Sequence, residues 1–388
     1  MEIPLKYGLN PHQKAARLII EAEPSPLKLL NGTPGYINLL DAFGAWQLVR
    51  ELKAATGSPG AASFKHVSPA GAAIARPLTD EFRRAAMIGD EEVSPVAAAY
   101  LRARGGDRMS SFGDAAAVSD TVDVSLAHVL KREVSDLLIA PAYEPEALEI
   151  LRGKKGGKYL LLQMDPSYAP PAVETRDAFG FVLQEDRNTA RITKDLFART
   201  VTGEGVPDDV AETLVVATIA LKYAQSNSVC VACDGQVVGM GAGQQSRVHC
   251  TRLACAKADT WFCQRHPKAL GLAFKDGLKR AEKNNLVDQY LLWDELSGPE
   301  REAMLAGLAA EPEPLSRDER LEWVRRFEGV CISSDAFFPF RDSIDRASRT
   351  HVRYLAQPGG SLRDDEVTAA ATQYGMGMIH TNVRCFLH

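Results

Sequence analysis

Apolar positions recur in short runs along the chain, and most runs end in a Gly/Pro/Ser/Asp cluster followed by an amphipathic segment. Residues 61–64 predict a strand entering the turn Lys65-His66-Val67-Ser68-Pro69-Ala70-Gly71. Residues 137–140 predict a second strand, followed by Pro141 and a helix over 145–151. Further strands are predicted over 159–164, 330–334 and 352–356. Ser361 is expected to open a helix, with Asp364 three residues on as in a capping box. This alternation argues for layered α/β units.

Two elements are marked more sharply. Over 38–53, Leu39, Phe43, Trp46, Val49 and Leu52 fall on one helical face, with Asn38 placed to cap the helix. Over 228–241, two apolar runs flank Asp234-Gly235, a pair suited to a type I′ turn, and so predict a hairpin. A helix over 208–224 precedes it; Gly241-Ala-Gly-Gln-Gln-Ser246 and another helix follow. The proline-bearing stretch 165–171 is the best linker, dividing the chain into units 1–165 and 166–388. Residues 311–316 predict an exposed loop, and no short repeat or low-complexity tract is visible.

Composition narrows the class. The chain has 388 residues, so two or three structural units are expected at roughly 150 residues each. With 45% hydrophobic and 24% charged residues, it can bury a sizeable core. A net charge of −5 argues against nucleic acid as the main partner. No apolar run is long enough to span a membrane, and Met1 to Gln13 lack the apolar core of a signal peptide. Seven cysteines in apolar contexts suit a reduced, cytoplasmic protein.

Several segments could carry chemistry. Cys230-Val-Ala-Cys233 has no second pair, and buried small residues explain it better than zinc. Gly239, Gly241 and Gly243 follow a strand, but their spacing is not that of a dinucleotide loop. The same loop places Ser246 and Arg247 at a helix N-terminus, either as an anion or carboxamide site or as a close-packed turn with a solvated Arg. Lys65-His66 stands at a strand end; a neighbouring ammonium keeps an imidazole neutral and able to accept a proton, and the Lys can stabilise an oxyanion. Alone, that dipeptide is common. Phe337, Phe338 and Phe340 form either a buried plug or a platform for a flat ring. The tail from His380 to His388 alternates like an ordered last strand.

Taken together, the segments resemble the AICAR transformylase domain of the bifunctional purine biosynthesis proteins, whose other activity is IMP cyclohydrolase. The matching stretches include Tyr7-Gly-Leu-Asn-Pro-His-Gln13, Asn31-Gly-Thr-Pro-Gly-Tyr-Ile-Asn38, Ser63-Phe-Lys-His-Val-Ser-Pro-Ala-Gly71 and Asp107-Arg-Met-Ser-Ser-Phe-Gly-Asp114. They continue through Glu133-Val-Ser-Asp136, Lys222-Tyr-Ala-Gln-Ser-Asn-Ser-Val229, the segment from Gly241 to Arg252, Ser333-Ser-Asp-Ala-Phe-Phe-Pro-Phe-Arg-Asp342 and the tail. The resemblance covers essentially the whole chain, in order. It departs at Lys6, where the family usually has Arg, and at Ser343, where relatives often have Asn or Gly. The chain starts at the transformylase boundary, so a stand-alone transformylase without the cyclohydrolase domain is expected.

The resemblance implies two cytidine-deaminase-like α/β units with additional elements, acting as a homodimer with shared active sites. It implies formyl transfer from 10-formyltetrahydrofolate to the 5-amine of AICAR. Lys65, His66 and Asn227 would be catalytic. Lys6, Tyr7, Asn38, Gly113, Asp136, Arg247, Phe337 and Arg384 would bind AICAR. Met109, Val248, Asn285, Phe340 and Asp342 would line the folate site. The family also suggests K+ near Ser226, Ser228 and Asp335, against the plainer reading that Asp335 caps local N–H groups. Zinc is not expected. Two alternatives are a formate- and ATP-dependent transferase, for which no GxxxxGK[ST] cradle is present, and a catalytically silent nucleotide-binding homologue.

Overall fold

Small residues decide how the central sheet is built. The computed structural model describes all residues from Met1 to His388. Eleven strands form one mixed sheet. In chain order they are β1 (Leu27–Asn31), β2 (Gly60–Lys65), β3 (Ser68–Ile74), β4 (Asp114–Val118), β5 (Ser135–Ala140), β6 (Leu160–Met164), β7 (Val229–Cys233), β8 (Gln236–Gly241), β9 (Cys331–Ser334), β10 (Tyr354–Gln357) and β11 (Gly377–His380). Across the sheet they run β11-β10-β9-β7-β8-β3-β2-β4-β5-β6-β1.

The sheet has two halves of the same design. Each begins with a helix, α1 (Tyr36–Thr56) in the first and α3 (Asp208–Lys222) in the second. An antiparallel hairpin follows, β2–β3 or β7–β8, and then a helix, α2 (Pro95–Gly105) or α4 (Arg247–Cys263). Three parallel strands complete each half, β4-β5-β6 or β9-β10-β11. The halves join where β8 meets β3 antiparallel, with Gln236 opposite Ala73. That pairing puts the two hairpin turns at opposite ends of the sheet. The chain is thus mixed α/β, and a structural repeat exists that sequence similarity does not reveal.

Helices α1 and α3 lie on one face over a continuous core that includes Trp46, Leu48, Phe64, Leu214 and Ile219. On the other face, α2 covers a core with Tyr100, Leu126 and Leu161, while α4 covers one with Phe262, Tyr290 and Trp323. Close helix–sheet approach explains two glycines. A Cβ on Gly71 of β3 would lie 2.0 Å from the Ala103 carbonyl oxygen of α2, and a Cβ on Gly239 of β8 would lie 2.0 Å from that of Ala254 of α4.

Several local expectations change. Helix α1 starts at Tyr36 with Gly35 as its cap, so Asn38 is not the cap residue; its Oδ1 instead accepts from the Gly35 N–H at 3.1 Å. The turn after β2 is only His66-Val67, because Lys65 pairs with Ser68 and Pro69 already belongs to β3, beside a bulge that tolerates its missing N–H. Ser361 does not open a helix; that helix begins at Asp364, whose carboxylate accepts from the Gly360 N–H. The tail leaves the sheet after His380, yet it is held: the Cys385 N–H donates to the Asp335 carbonyl and the Leu387 N–H to Ser226 Oγ. The 165–171 stretch leads into a separate hairpin, Val173–Ala178 with Phe181–Asp186.

Candidate active site

At one end of the sheet lie the turn between β2 and β3, the N-terminal ends of β4, β5 and β7, and the C-terminal ends of β8 and β9. From the first half come Lys65, exposed His66, Gly113 and Asp136. Lys65 Nζ donates to the Phe112 carbonyl oxygen. Gly113 has φ +75°, the backbone that calls for glycine, and a Cβ there would stand at ordinary contact distance, 3.6 Å from Lys65 Nζ and 3.9 Å from Asp136 Oδ2. Asp136 also pairs with Lys155 at 2.6 Å.

His66 and Val67 have φ of +53° and +60°. Two consecutive left-handed residues make a type I′ turn, a geometry that asks for Asn-Gly or Asp-Gly. A β-branched Val there is a real outlier, and such outliers cluster at functional sites. The Val67 N–H donates to Asp41 Oδ1 at 2.7 Å. Asp41 projects from α1 and is only 7% exposed; burial raises its carboxyl above the ordinary value.

The second half contributes Asn227, Arg247 and Asp335. Arg247 opens α4 and is buried rather than solvated. Its Nη1 donates to the Asp335 carboxylate and, at 2.6 Å, to the Ser228 carbonyl oxygen. The other Asp335 oxygen accepts from the Ser228 N–H and Oγ, both at 3.0 Å. Asn227 Oδ1 and Arg247 Nε are buried without a hydrogen-bond partner. Buried polar atoms are rarely left unpaired, so these two atoms are free to take a partner.

One hydrogen bond joins the two clusters. The Gln225 N–H donates to Ser68 Oγ at 3.1 Å, linking the residue after Val67 to the segment that carries Asn227.

The remaining expected residues are dispersed. Phe338 is the buried plug, while Phe337 and Phe340 are exposed at 41% and 48%, so the aromatic cluster contains one plug and two exposed rings. Arg363 lies over the Phe340 ring, 4.9 Å from its centroid. Exposed Asp342 starts the helix Asp342–Arg349, and Val248 follows Arg247 on α4. Met109 is exposed before Gly113. Asn285 lies on the helix Arg280–Leu291, which Arg280 ties to Glu133 at 2.6 Å. Arg384 stacks on Phe386 in the tail. Lys6 and Tyr7 lie beyond the small pairing of Glu2–Pro4 with Arg17–Ile19, with Lys6 Nζ 5.8 Å from the Tyr7 ring, and no hydrogen bond joins them to either cluster.

Asp41 and Gln225 were missed by sequence reasoning. Asp41 sits inside a helical pattern where one polar residue carries no signal, and Gln225 acts through its backbone. All seven cysteines are free and buried, and burial pushes the Cys233 thiol up to about 12. No helix is long and apolar enough to cross a membrane.

Fold and site thus define an α/β protein with two like halves, both of which bring residues to one end of the sheet. The chain belongs to the AICARFT/IMPCHase bienzyme family, which its sequence matches over residues 1–257. It is 31% identical over 389 residues to the bifunctional purine biosynthesis protein PurH of Roseobacter denitrificans, covering 99% of this chain and 59% of that protein. Identity is 30% to the PurH proteins of Magnetococcus marinus and Xylella fastidiosa, which are covered over 59% and 58% of their length. The chain therefore spans well under two thirds of the curated relatives it matches.

Proposed function

We propose that the chain transfers a formyl group from 10-formyltetrahydrofolate to the 5-amine of AICAR, as an enzyme of purine biosynthesis. The observation that carries this reading is the meeting, at one sheet end, of Lys65 and the His66-Val67 turn with the orphaned polar atoms of Asn227 and Arg247. The acceptor amine is a weak nucleophile, because its lone pair delocalises into the imidazole ring and carboxamide. His66 takes its proton as the nitrogen attacks the formyl carbon. Lys65 stabilises the oxyanion. The carbon–N10 bond then breaks, N10 takes a proton, and formyl-AICAR and tetrahydrofolate leave.

Asn227 Oδ1 would orient the reacting groups, and Arg247 Nε the carboxamide. Lys6, Tyr7, Asn38, Gly113, Asp136, Phe337 and Arg384 complete the proposed AICAR site; Met109, Val248, Asn285, Phe340 and Asp342 the proposed folate site. A potassium ion near Ser226, Ser228 and Asp335 belongs to the reading as well; there Asp335 faces Arg247 and Ser228, and Ser226 Oγ accepts from the Leu387 N–H. No step runs through such an ion.

The reading includes units 1–165 and 166–388, and a homodimer in which a second subunit completes the site. The hairpin of Val173–Ala178 and Phe181–Asp186 supports the dimer, because it leaves Phe179, Phe181, Val182 and Leu183 exposed by more than half. A cytoplasmic, reducing location fits the seven free thiols. The test mixes purified protein with AICAR and 10-formyltetrahydrofolate, follows tetrahydrofolate by absorbance and identifies products by mass spectrometry. Formyl-AICAR forming in step with tetrahydrofolate is expected; no transfer to AICAR would overturn the reading.

A further inference from the structure

The two hairpins are closed in the same way but with different residues. In the second half the turn is Asp234-Gly235, with φ of +52° and +67°, the residue pair that this geometry favours. In the first half it is His66-Val67. Each turn is tied to the helix that precedes its hairpin, and at the same helical position. Thr213, six residues into α3 counting Asp208 as the first, accepts from the Gly235 N–H at 2.9 Å. Asp41, six residues into α1 counting Tyr36 as the first, accepts from the Val67 N–H at 2.7 Å.

A neutral hydroxyl is therefore enough to hold such a turn. A carboxylate at the same place is costly, because it is buried and desolvation opposes its charge. Its charged neighbours are Lys65 at the end of β2 and His66 on the turn, which favour the carboxylate, and Asp136 at the start of β5, which opposes it. Asp136 is itself partnered by Lys155.

We infer that Asp41 is the positioning residue of the His66-Val67 turn, holding its left-handed backbone by hydrogen bond and supplying the fixed negative charge that stabilises an imidazolium on His66. The inference rests on the formyl-transfer reading, in which His66 accepts the proton of the amine. Through its charge, Asp41 favours the protonated ring that forms as the nucleophile attacks. The second half, with Thr213 at this position and no histidine on its turn, has no such need.

Two variants separate charge from tether. Asp41→Asn keeps an acceptor of the same shape, and Asp41→Thr reproduces the residue of the other half. Both should fold and bind AICAR within about twofold of wild type while kcat falls about tenfold, the pattern of a group acting on the transition state. The acidic limb of the pH–rate profile should move to lower pH. The His66 ring, followed by NMR without substrates, should also titrate at lower pH in both variants. That titration decides the inference even if wild type transfers no formyl group, an outcome that would sink only the functional reading. Wild-type titration and kcat in Asp41→Asn would show a tether alone and overturn the inference.

Discussion

The backbone N–H of Gln225 donates to the hydroxyl oxygen of Ser68 at 3.1 Å, and this bond spans the two halves of the sheet. On one side it follows the His66-Val67 turn; on the other it precedes Asn227. Ser68→Ala removes the acceptor from a partly exposed position, so stability should fall by no more than about 1 kcal/mol. Catalytic alignment is more sensitive than stability, and formyl transfer should fall about tenfold. Urea unfolding and steady-state rates measured on the same preparation test this. A variant with unchanged kcat would show that the bond does not align the site.

His66→Ala should abolish turnover while leaving AICAR binding within about tenfold, as expected when a group acts mainly in the transition state. Calorimetric titration with AICAR, beside the absorbance assay, reads both quantities. Wild-type kcat in this variant would remove His66 from its role as base.

Much of the fold is legible where side chains are large or turn chemistry is strict. The α1 stripe of Leu39, Trp46, Val49 and Leu52 is buried, and Asp234-Gly235 makes the expected hairpin. Strand β4 was not expected: Asp-Ala-Ala-Ala-Val has weak strand propensity, and only burial between two helical layers makes it a strand. Helix α2, with four alanines among its residues and buried nearly all round, gives little amphipathic signal. The Val173–Asp186 hairpin is exposed along its length, so nothing in its pattern points to a core. At the site, Lys65-His66 could be singled out as a pair, but its left-handed turn could not, because His-Val is a poor sequence for that geometry. Arg247 was as compatible with a solvated side chain as with a buried one until its Asp335 partner, far away in sequence, was in place.

The Arg247–Asp335 pair is fully enclosed, with the two side chains 5% and 0% exposed. Removing one charge from such a pair strands the other. Asp335→Asn should therefore destabilise the protein by about 3–5 kcal/mol, and Arg247→Met by a similar amount. The double variant should lose less than the sum of the two, because neither charge remains. Urea unfolding of all four proteins gives the coupling. Additive losses would mean that the pair does not act as a unit.

Gly239 has no room for a side chain. A Cβ would meet the Ala254 carbonyl oxygen at 2.0 Å and the Ala258 backbone nitrogen at 2.9 Å. Neither atom can yield without moving α4, and Arg247 opens that helix. Gly239→Ala should cost about 2 kcal/mol or more by forced overpacking, and activity should fall further than the unfolded fraction explains. Thermal unfolding and the specific activity of the folded fraction measure this. A stable, fully active variant would mean that α4 can shift freely relative to β8.

Asp41 also makes a prediction that a simple tether would not. Burial raises its carboxyl above the ordinary value, so the folded protein binds that proton more tightly than the unfolded chain does. The stabilisation is fully present below the unfolded value of about 3.9 and is lost as pH rises through the raised folded value. At neutral pH wild type therefore carries a buried charge whose hydration folding has removed. Asn at this position can accept the same hydrogen bond and carries no charge. Asp41→Asn should thus be more stable than wild type at pH 7, by a margin that shrinks as pH falls and disappears below the unfolded value. Urea midpoints of both proteins from pH 8 to the lowest pH at which each stays folded would trace the margin. A pH-independent difference would assign Asp41 to the hydrogen bond alone. A growing margin together with reduced turnover would show stability given up for a charged site, the trade-off expected where a protein keeps a strained or desolvated group for function.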